Sequence, residues 1–425
     1  MRILHTADWH LGHRLYGNDR GEEQELALDW LLGAIRTHDV DLLIVAGDVF
    51  DSMNPSNAAR NLYYRFLGEL QATGCRTAVI VGGNHDSPSQ LDAPASLLRH
   101  LNVHVVGGAR EELTEQIVRV SGRDPSHPGV IVAAVPYLRD RDLKYSVIGE
   151  SAGDKVERMR ASIRQHYRDA ATAARAARTD QRTPMLATGH LFASGGEDAD
   201  DKVTNIYLAD RNNIEAGHFD PCFDYVALGH IHRPQRVGGQ ERIRYSGSLI
   251  PLTFGEARVE QSVCLVELAE AGGPVMTERL RVPTYRQLMT CRGPVEEVKA
   301  SIGELVRRQR SIDREARAPW IDVRVETPHP LPLLREELEA IITPTEEESN
   351  AGETVLPLIL RCTTVSPDDV ARRSFQTESV NLKELHPEEV FHHLCHGGEE
   401  ERADYPELLD AFRELRGWME EQGNE

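Results

Sequence analysis

Short apolar runs recur along the first two thirds of the chain, and a loop rich in glycine, acidic residues or histidine follows several of them. The first three runs cover residues 2–6, 41–46 and 77–81. Their short length and β-branched residues predict buried strands, and the segments between them show helical periodicity. This βαβαβ pattern indicates an α/β domain in which helices cover the faces of a sheet.

Two amphipathic helices are predicted between these strands. Over residues 21–37, one side of the helix carries Leu28, Leu31, Leu32 and Ile35. The second helix is predicted to begin at the cap residue Ser56, to repeat apolar residues at every fourth position and to stop before Gly74. Its repeating residues are Ala58, Leu62, Phe66 and Leu70.

Further strands and a second set of alternating elements follow. Strands are predicted over 103–106, 117–120, 130–135, 185–188, 225–228, 243–250 and 262–268, with a helix over 154–179. Another βαβαβ unit comprises strands 287–292, 320–326 and 355–362 and helices 294–308 and 331–342. We therefore predict a main domain over 1–280, an accessory domain over 281–368 and a helical pair over 369–425.

Composition narrows the class of protein. At 425 residues the chain is long enough for two or three domains, and its formal net charge of -20 argues against an autonomous, nonspecific nucleic-acid binder. No stretch is apolar over the roughly 20 residues that a membrane span needs, and the N-terminus lacks a signal-peptide layout. We therefore expect a cytoplasmic protein with no membrane partner. The six cysteines are scattered, which favours reduced thiols.

Candidate metal ligands follow five of the predicted strands. They are Asp8 with His10, Asp48, Asn84 with His85, His190, and His230 with His232. A lone residue of this kind is more often a cap, a turn or a core histidine. Five such positions favour a functional site, because α/β sheets gather their chemistry at strand ends.

Oxygen and imidazole ligands in this number suit two divalent metal ions. Such a pair neutralises the anionic oxygens of a phosphate ester and acidifies a water molecule, which makes hydrolysis of the ester feasible. Asp48 is the natural carboxylate to bridge the two ions. The mixed His, Asp and Asn set fits manganese, iron or zinc better than magnesium, and it does not choose among those three.

The order and form of these motifs carry a resemblance to a known family. The motifs are Asp8-x-His10, Gly47-Asp48-x-x-Asp51, Gly83-Asn84-His85-Asp86, Gly189-His190 and Gly229-His230-x-His232. They resemble the signature of calcineurin-like binuclear metallophosphoesterases. Leu11-Gly12, the GNHD form of the third motif and Tyr245-Ser246-Gly247-Ser248 narrow the resemblance to the bacterial SbcD nuclease subunits. It implies an α/β (α+β) fold: a layered β-sandwich flanked by helices, a smaller βαβαβ capping domain and a C-terminal helical pair.

The resemblance also implies a role for each residue. One metal would be held by Asp8, His10, Asp48 and His232, and the other by Asp48, Asn84, His190 and His230. His85 would face the scissile phosphate, stabilise the transition state and help to protonate the leaving oxygen. We hypothesise that Asp51 orients His85 or a metal-bound water from outside the ligand shell. Manganese is the expected metal, with iron or zinc as alternatives.

Local evidence for a DNA substrate is modest. His13, Arg14, Tyr16 and Arg20 form a basic, aromatic loop beside the first motif. Arginines at positions 160, 164, 168, 175, 178 and 182 recur near helical spacing and could form one basic stripe, but a solvated helix face is the favoured interpretation. The Arg307–Arg317 cluster is just as ambiguous, so the choice of DNA depends on the resemblance.

The same resemblance implies partners. The capping domain would help to hold duplex ends, and the tail helices, with apolar stripes in 387–395 and 406–420, would bind the coiled coil of an SbcC-like SMC-type ATPase. No Gly-x-x-x-x-Gly-Lys-[Ser/Thr] loop occurs, so any ATP dependence would come from that partner. A homodimer within a heterotetramer and association with the nucleoid are also expected. A zinc site among His386, His392, His393, Cys395 and His396 is disfavoured, because no second ligand pair frames it.

The leading hypothesis is a manganese-dependent DNA nuclease subunit. It would act on double-stranded ends as a 3′-to-5′ exonuclease and on hairpins as an endonuclease, in DNA end processing, repair and recombination. The alternative is a phosphoesterase for small molecules or proteins on the same metal centre. A non-catalytic scaffold is disfavoured, because all seven candidate ligands are present.

Overall fold

The computed structural model describes residues 1–122, 128–139, 141–143, 152–194, 214–309, 317–327, 331–343 and 356–365. The chain divides into two compact units, Met1–Thr364 and Val365–Glu425, and nearly all described residues belong to the first. The predicted helical pair over 369–425, its histidine group and most of the Arg307–Arg317 cluster lie outside the described residues. The predicted boundaries of the three parts stay a prediction.

The described elements follow the predicted alternation. The strands are β1 Arg2–Thr6, β2 Arg14–Leu15, β3 Asn18–Asp19, β4 Leu42–Ala46, β5 Thr77–Val81, β6 Val103–Val106, β7 Ile117–Val120, β8 Val130–Ala133, β9 Met185–His190, β10 Ala193–Ser194, β11 Ile214–Glu215, β12 Tyr225–Gly229, β13 Gln235–Val237, β14 Gln240–Tyr245, β15 Ser262–Glu267, β16 Met276–Arg281, β17 Leu288–Gly293, β18 Trp320–Glu326 and β19 Leu358–Val365. The helices are α1 Gly21–Thr37, α2 Asn57–Leu70, α3 Pro88–Asp92, α4 Ala95–Arg99, α5 Ala152–Ala177, α6 Val295–Gln309 and α7 Leu334–Ile342. Short 3-10 turns cover Gln71–Thr73, Leu113–Gln116, Ala216–His218 and Phe254–Glu256.

Two six-stranded sheets form the main body. The first has the order β16-β15-β1-β4-β5-β6 and the second the order β13-β14-β12-β9-β8-β7. Their facing sides share one buried apolar cluster, to which β4 contributes Leu42 and Ile44 and β8 contributes Val130 and Val132. The expected layered β-sandwich is therefore confirmed.

Helices cover the outer faces of this sandwich. In β4 the alternate residues Leu43 and Val45 point away from the second sheet and pack in the cluster that contains α1 and α2. The α5 helix packs on the second sheet through Ile163 and Tyr167. A strand that is buried on both sides needs apolar residues at every position, which explains why β4 is an unbroken apolar run.

Within the described residues the predicted helices are confirmed in position, but one of their buried faces differs from the prediction. All four apolar residues predicted for α1 are buried, and Ser56 accepts a hydrogen bond from the Ala59 N–H (3.2 Å) as the cap of α2. In α2, however, Ala58 is exposed and Leu62 only partly buried. The core side consists of Ala59, Tyr63, Phe66, Leu67 and Leu70.

One predicted strand is too long. The run 243–250 leaves the sheet after Tyr245, the last residue of β14. Gly247 has a φ of 82°, and the Ser248 N–H donates to the carbonyl of His232 (3.2 Å) instead of to a neighbouring strand. The apolar residues Leu249 and Ile250 are still buried, in the cluster on the outer face of the first sheet.

The accessory part forms its own small layer. Its three strands have the order β17-β18-β19, and β17 pairs with β18 in parallel. The α6 and α7 helices pack on one face of this sheet around Ile302, Ile321 and Leu338. The predicted βαβαβ pattern of this region matches the described elements within a few residues.

A buried ionic cluster joins the accessory part to the main body. Glu23 in α1 accepts hydrogen bonds from Arg20 Nε (3.0 Å) and from Arg286 Nε (2.7 Å). The guanidinium of Arg286 lies 4.4 Å from the ring centroid of Trp320, and that of Arg20 lies 5.5 Å from it. Trp320 begins β18, so this cluster fixes the edge of the accessory sheet against the start of α1.

Candidate metal centre

The candidate ligands come from the carboxyl ends of five parallel strands in two sheets. In the first sheet β4 pairs in parallel with both β1 and β5, and in the second sheet β9 pairs in parallel with β12. The loops after these strands carry Asp8, Asp48, Asn84 and His230 within their first three residues, whereas His190 is the last residue of its strand. The structure brings all seven predicted ligands together at this edge of the sandwich.

Backbone hydrogen bonds and unusual dihedral angles fix the first two loops. The Asp8 N–H donates to the Gly47 carbonyl and the His10 N–H to the Asp48 carbonyl, both at 3.0 Å. Asp8, His10 and Asp48 all have φ between 45° and 53°, and His230 has φ of 101°. Side chains other than glycine seldom occupy this region, and such strain concentrates at functional sites.

Asp48 lies at the centre of the group. Its Oδ2 is 3.4 Å from His10 Nε2 and 3.2 Å from His190 Nε2. Its Oδ1 accepts the His85 N–H (2.9 Å). One carboxylate oxygen therefore faces a ligand of each predicted metal.

The ligands predicted for the second metal surround the side-chain oxygen of Asn84. Asn84 Oδ1 lies 3.0 Å from His190 Nε2 and 3.1 Å from His230 Nδ1. His190 Nδ1 is 2.9 Å from the carbonyl of Ala46, so in the neutral ring Nδ1 carries the proton and Nε2 has the lone pair. This second hydrogen bond fixes the ring with Nε2 directed at the other ligands.

The ligands predicted for the first metal form a second group. Asp8, His10 and His232 place one ligand atom each within 4.8 Å of the others. The His230 N–H donates to both oxygens of Asp8, at 2.9 and 3.2 Å. His10 is buried, and neither of its ring nitrogens makes a hydrogen bond of good geometry.

The donor set fits metal cations. The site brings together carboxylate oxygens, an amide oxygen and imidazole nitrogens with lone pairs. Acceptors packed this closely repel one another unless a cation or protons lie between them. The buried His10 nitrogens lie 3.2 Å from Asp51 and 3.4 Å from Asp48, and neither makes a hydrogen bond of good geometry. These residues are of the kinds that manganese, iron and zinc accept.

The close packing of carboxylates and histidines shifts the pKa values of the site. Burial lowers the pKa of His190 and of His232, but the nearby carboxylates outweigh it and raise them to about 9 and about 8. Burial would raise the pKa of Asp48, yet His190, His10 and His85 hold it well below its usual range. Histidine binds a metal only when it is neutral, so metal ions and protons compete for this site.

Asp51 contacts His85 through its main chain. His85 Nδ1 donates to the backbone carbonyl of Asp51 (2.8 Å), not to its carboxylate. The carboxylate oxygen Oδ1 lies 2.9 Å from His13 Nδ1 and 3.2 Å from His10 Nδ1. Burial would raise the pKa of this carboxyl group, but these two histidines hold it well below its usual range. The side chain of Asp51 therefore orients His10 and His13, and its main chain orients His85.

Two of the four residues predicted to contact DNA are engaged inside the protein. His13 contacts Asp51 and the carbonyl of Leu252 (3.0 Å), and Arg20 is 1% exposed within the ionic cluster with Glu23. The structure does not support a DNA contact for either, because their polar atoms already have protein partners. Arg14 is exposed, and Tyr16 is 50% exposed.

The arginines of α5 are also largely paired. Arg164 bonds Glu157, Arg168 bonds Gln165 and Arg175 bonds Asp220. These contacts favour the solvated helix face over a DNA-binding stripe as the interpretation of these arginines.

The sequence matches two family models. One, described as calcineurin-like phosphoesterase, covers residues 1–234, and the other, SbcD_C, described as type 5 capsule protein repressor C-terminal domain, covers residues 284–396. A protein from Escherichia coli (strain K12), named as the SbcD subunit of the nuclease SbcCD, is 36% identical over 395 residues, which are 92% of this chain and 92% of that protein. The chain belongs to the SbcD family of calcineurin-like phosphoesterases.

Other SbcD-family proteins of the same name are also similar. The protein from Rhodobacter capsulatus is 32% identical over 379 residues, covering 88% of this chain and 89% of that protein. The protein from Bacillus subtilis is 33% identical over 270 residues, covering 63% of this chain and 66% of that protein. Membership of the SbcD family implies a dinuclear divalent metal site and a hydrolase that acts on phosphoester bonds. Among the described residues, no helix is long and apolar enough to cross a membrane.

Sequence reasoning missed two acidic residues that support this SbcD-family site. Asp86 is fully buried, and its carboxylate accepts the N–H groups of Val49, Phe50 and Gly83 at 2.8 to 3.1 Å. Burial and the nearby Asp48 raise the pKa of Asp86 to about 6, although the three N–H groups act against this. Asp86 was visible as the last residue of the third motif, but its role required the structure.

Glu256 is the second missed residue. Its Oε1 lies 3.2 Å from Nδ1 of the predicted ligand His232. Nothing in the sequence marks Glu256, because it lies 24 positions from His232 and belongs to no motif.

Proposed function

We propose that this chain is the nuclease subunit of an SbcCD-type complex and cuts DNA phosphodiester bonds with two manganese ions. It would act as a 3′-to-5′ exonuclease on double-stranded ends and as an endonuclease on hairpins. The observation that carries the proposal is the convergence of all seven candidate ligands around Asp48, in a chain with SbcD relatives over nearly its whole length.

The proposed ligand sets are those implied by the sequence. Asp8, His10, Asp48 and His232 would hold one ion, and Asp48, Asn84, His190 and His230 the other. When bound, the two ions neutralise the phosphate oxygens and activate the water that attacks phosphorus. Asp48 would belong to both sets, which agrees with its contacts to His10 and His190.

The protein's own acid is proposed to be His85. The side chain is exposed, and its Nδ1–H donates to the Asp51 carbonyl, so Nε2 is the ring nitrogen left to meet a substrate. His85 also lies edge-on to the His10 ring, with ring centroids 4.8 Å apart. As an imidazolium, with a second proton on Nε2, a histidine held in this way beside the ligands can stabilise the developing charge and deliver the Nε2 proton to the leaving oxygen.

The partner is proposed to be an SbcC-like SMC-type ATPase. The relatives are named as subunits of SbcCD, and the SbcD_C match extends to residue 396, into the predicted tail helices. The tail would bind the ATPase coiled coil, and the accessory domain would help to hold duplex ends. The homodimer and the association with the nucleoid remain part of this proposal.

Substrate choice is the feature to test first. The chain should be purified with its SMC-type ATPase and offered a linear duplex, a DNA hairpin and a generic aryl phosphodiester with Mn²⁺. We expect cutting of both DNA substrates, with 3′-to-5′ polarity on the duplex. Turnover of the aryl substrate with no cutting of either DNA would favour the alternative, a small-molecule or protein phosphoesterase, and overturn the nuclease proposal.

A further inference from the structure

The turn Thr253–Glu256 contacts both the metal centre and the accessory part. Glu256 at its end contacts His232, and Phe254 within it packs between the main body and the accessory sheet. The two side chains are two residues apart on the same short 3-10 turn.

Both carboxylate oxygens of Glu256 are anchored. Oε2 accepts the N–H of Leu252 (2.8 Å), and Oε1 accepts the hydroxyl of Thr253 (3.1 Å) and contacts His232 Nδ1 (3.2 Å). Because a carboxylate only accepts, the neutral, metal-binding form of His232 carries its proton on Nδ1, and Nε2 is left with the lone pair. Carboxylates that orient metal-ligating histidines in this way raise their basicity and fix their rings.

The hydrogen bonds continue from Glu256 around the site. The carbonyl of Leu252 accepts from His13 Nε2 (3.0 Å), and His13 Nδ1 meets the Asp51 carboxylate (2.9 Å). Asp51 in turn contacts His10 and holds His85 through its carbonyl. His13 and Glu256 therefore belong to one chain of contacts that surrounds the ligands proposed for the first metal.

Phe254 connects this chain of contacts to the accessory part. It is 7% exposed and belongs to a buried cluster with Leu15 of the main body and with Leu288 and Trp320 of the accessory sheet. Tyr16 also stacks on the Phe254 ring at 6.0 Å. Leu288 and Trp320 begin β17 and β18, so the turn packs against the start of two strands of the accessory sheet.

We propose that Glu256 is a positioning residue for His232. We further propose that, through Phe254, the affinity of the first site for its metal depends on how the accessory sheet packs against the main body. This inference rests on the proposed two-metal centre. It assigns no catalytic step to Glu256, which acts only through His232.

The test is a Mn²⁺ titration of the metal-stripped full-length chain by calorimetry. Wild type is expected to bind two ions. Glu256→Ala should weaken one of the two sites by about 10- to 100-fold and leave the other unchanged. Glu256→Gln retains an acceptor for His232 Nδ1–H and should lose less affinity than Glu256→Ala. A role in general stability alone would weaken both sites together or neither.

Glu260→Ala is the matched control for Glu256. Glu260 is an exposed glutamate four positions along the chain that pairs with Arg281 (3.1 Å) and contacts no candidate ligand. Its replacement should leave both sites at wild-type affinity. Equal Mn²⁺ affinities for Glu256→Ala and Glu260→Ala would overturn the assignment of Glu256.

Phe254→Ala and Trp320→Ala test the connection to the accessory part. Both should weaken the same site that Glu256→Ala weakens, while Arg292→Ala, which removes an ion pair with Glu326 on the accessory sheet, should not. Wild-type affinity in both aromatic variants would overturn the coupling and leave the role of Glu256 intact. If wild type itself bound no Mn²⁺, the proposed metal centre would be refuted and this inference with it.

Discussion

Asp48 and His85 have different positions at the centre, and single substitutions should separate their roles. Asp48 is 2% exposed and faces His10 and His190, whereas His85 is exposed. Asp48→Ala should lower the bound Mn²⁺ as well as turnover. His85→Gln should retain both ions and lower turnover by about 100- to 10,000-fold, the usual contribution of a general acid.

Metal analysis of the purified variants beside a duplex-cutting assay checks this prediction. Equal metal loss in both variants would mean that His85 is a ligand or holds one. Full metal content in Asp48→Ala would remove Asp48 from the bridging position.

His5 should make the fold sensitive to acid. It is fully buried, with Nε2–H on the Leu228 carbonyl (3.1 Å) and Nδ1 on the Tyr225 hydroxyl (3.0 Å), and burial lowers its pKa to about 3. The unfolded chain takes up this proton below about pH 6.5 while the folded chain does not, so stability is lost as the pH falls from there towards 3. At pH 5 the loss from His5 alone is about 2 kcal/mol.

Urea unfolding of the metal-stripped chain at pH 7 and pH 5 measures this loss. His5→Gln keeps a donor and an acceptor but cannot titrate. The difference in unfolding free energy between wild type and His5→Gln should therefore change by about 2 kcal/mol between the two pH values. An unchanged difference would show that His5 is already protonated, or not buried, in the folded chain.

The candidate ligands could be predicted from sequence for a simple reason. Each follows its strand by at most a few residues, so the strand pattern alone places it at the sheet edge. His13, Arg20 and Glu256 could not be assigned, because their partners lie far along the chain or are visible only in the fold. From sequence alone, a basic residue in a loop suggests a nucleic-acid contact. Arg20 is an example, because only the structure shows that its guanidinium donates to the buried carboxylate of Glu23.

At the scale of elements, the turn before Asn84 should not tolerate a side chain. A Cβ on Gly83 would overlap the carboxylate oxygen and the amide nitrogen of Asp48. Gly83→Ala must therefore displace one of the two loops, and we expect loss of Mn²⁺ binding and of cutting.

Gly33 in α1 offers a matched control for Gly83→Ala. A Cβ there meets nothing within 4 Å, and alanine is preferred over glycine inside helices by about 1 kcal/mol. Gly33→Ala should keep wild-type Mn²⁺ binding and raise the unfolding free energy slightly. Normal Mn²⁺ binding by Gly83→Ala would show that the two loops can separate without cost to the site.

Two elements show the limits of periodicity. The fourfold repeat in α2 correctly predicted a helix. Because one helical turn takes slightly fewer than four residues, residues spaced four apart do not stay on one side of the helix. The buried side contains Ala59, Tyr63 and Phe66 instead of Ala58 and Leu62. In 243–250, the apolar residues after Tyr245 are buried in the core without joining a sheet, and their sequence pattern is the same as that of a strand. An apolar sequence therefore predicts that a segment is buried, but it does not predict which group its backbone N–H and C=O will hydrogen-bond.

At the scale of the whole molecule, local periodicity predicted the helical layers and the accessory βαβαβ unit, and the resemblance carried by the motifs implied the sandwich. The contact between the main body and the accessory part could not. It depends on Glu23, Arg286 and Trp320, which are distant in sequence and meet only in the fold.

This contact should be essential for stability. The Glu23 side chain is 2% exposed and lies between the guanidinium groups of Arg20 and Arg286, whose side chains are 0% and 12% exposed. Glu23→Ala leaves both positive charges buried without their carboxylate, a change that costs about 3–5 kcal/mol in buried pairs.

Urea unfolding of Glu23→Ala beside Glu22→Ala tests this expectation. Glu22, the preceding residue, makes the neighbouring contact to Arg317 (3.1 Å) but is 75% exposed, so its loss should cost about 1 kcal/mol or less. If the buried carboxylate holds the two parts together, Glu23→Ala should also allow the accessory part to unfold in a separate, earlier transition. A single transition with the same midpoint as Glu22→Ala would mean that the apolar cluster of Leu15, Phe254, Leu288 and Trp320 is sufficient to hold the accessory sheet.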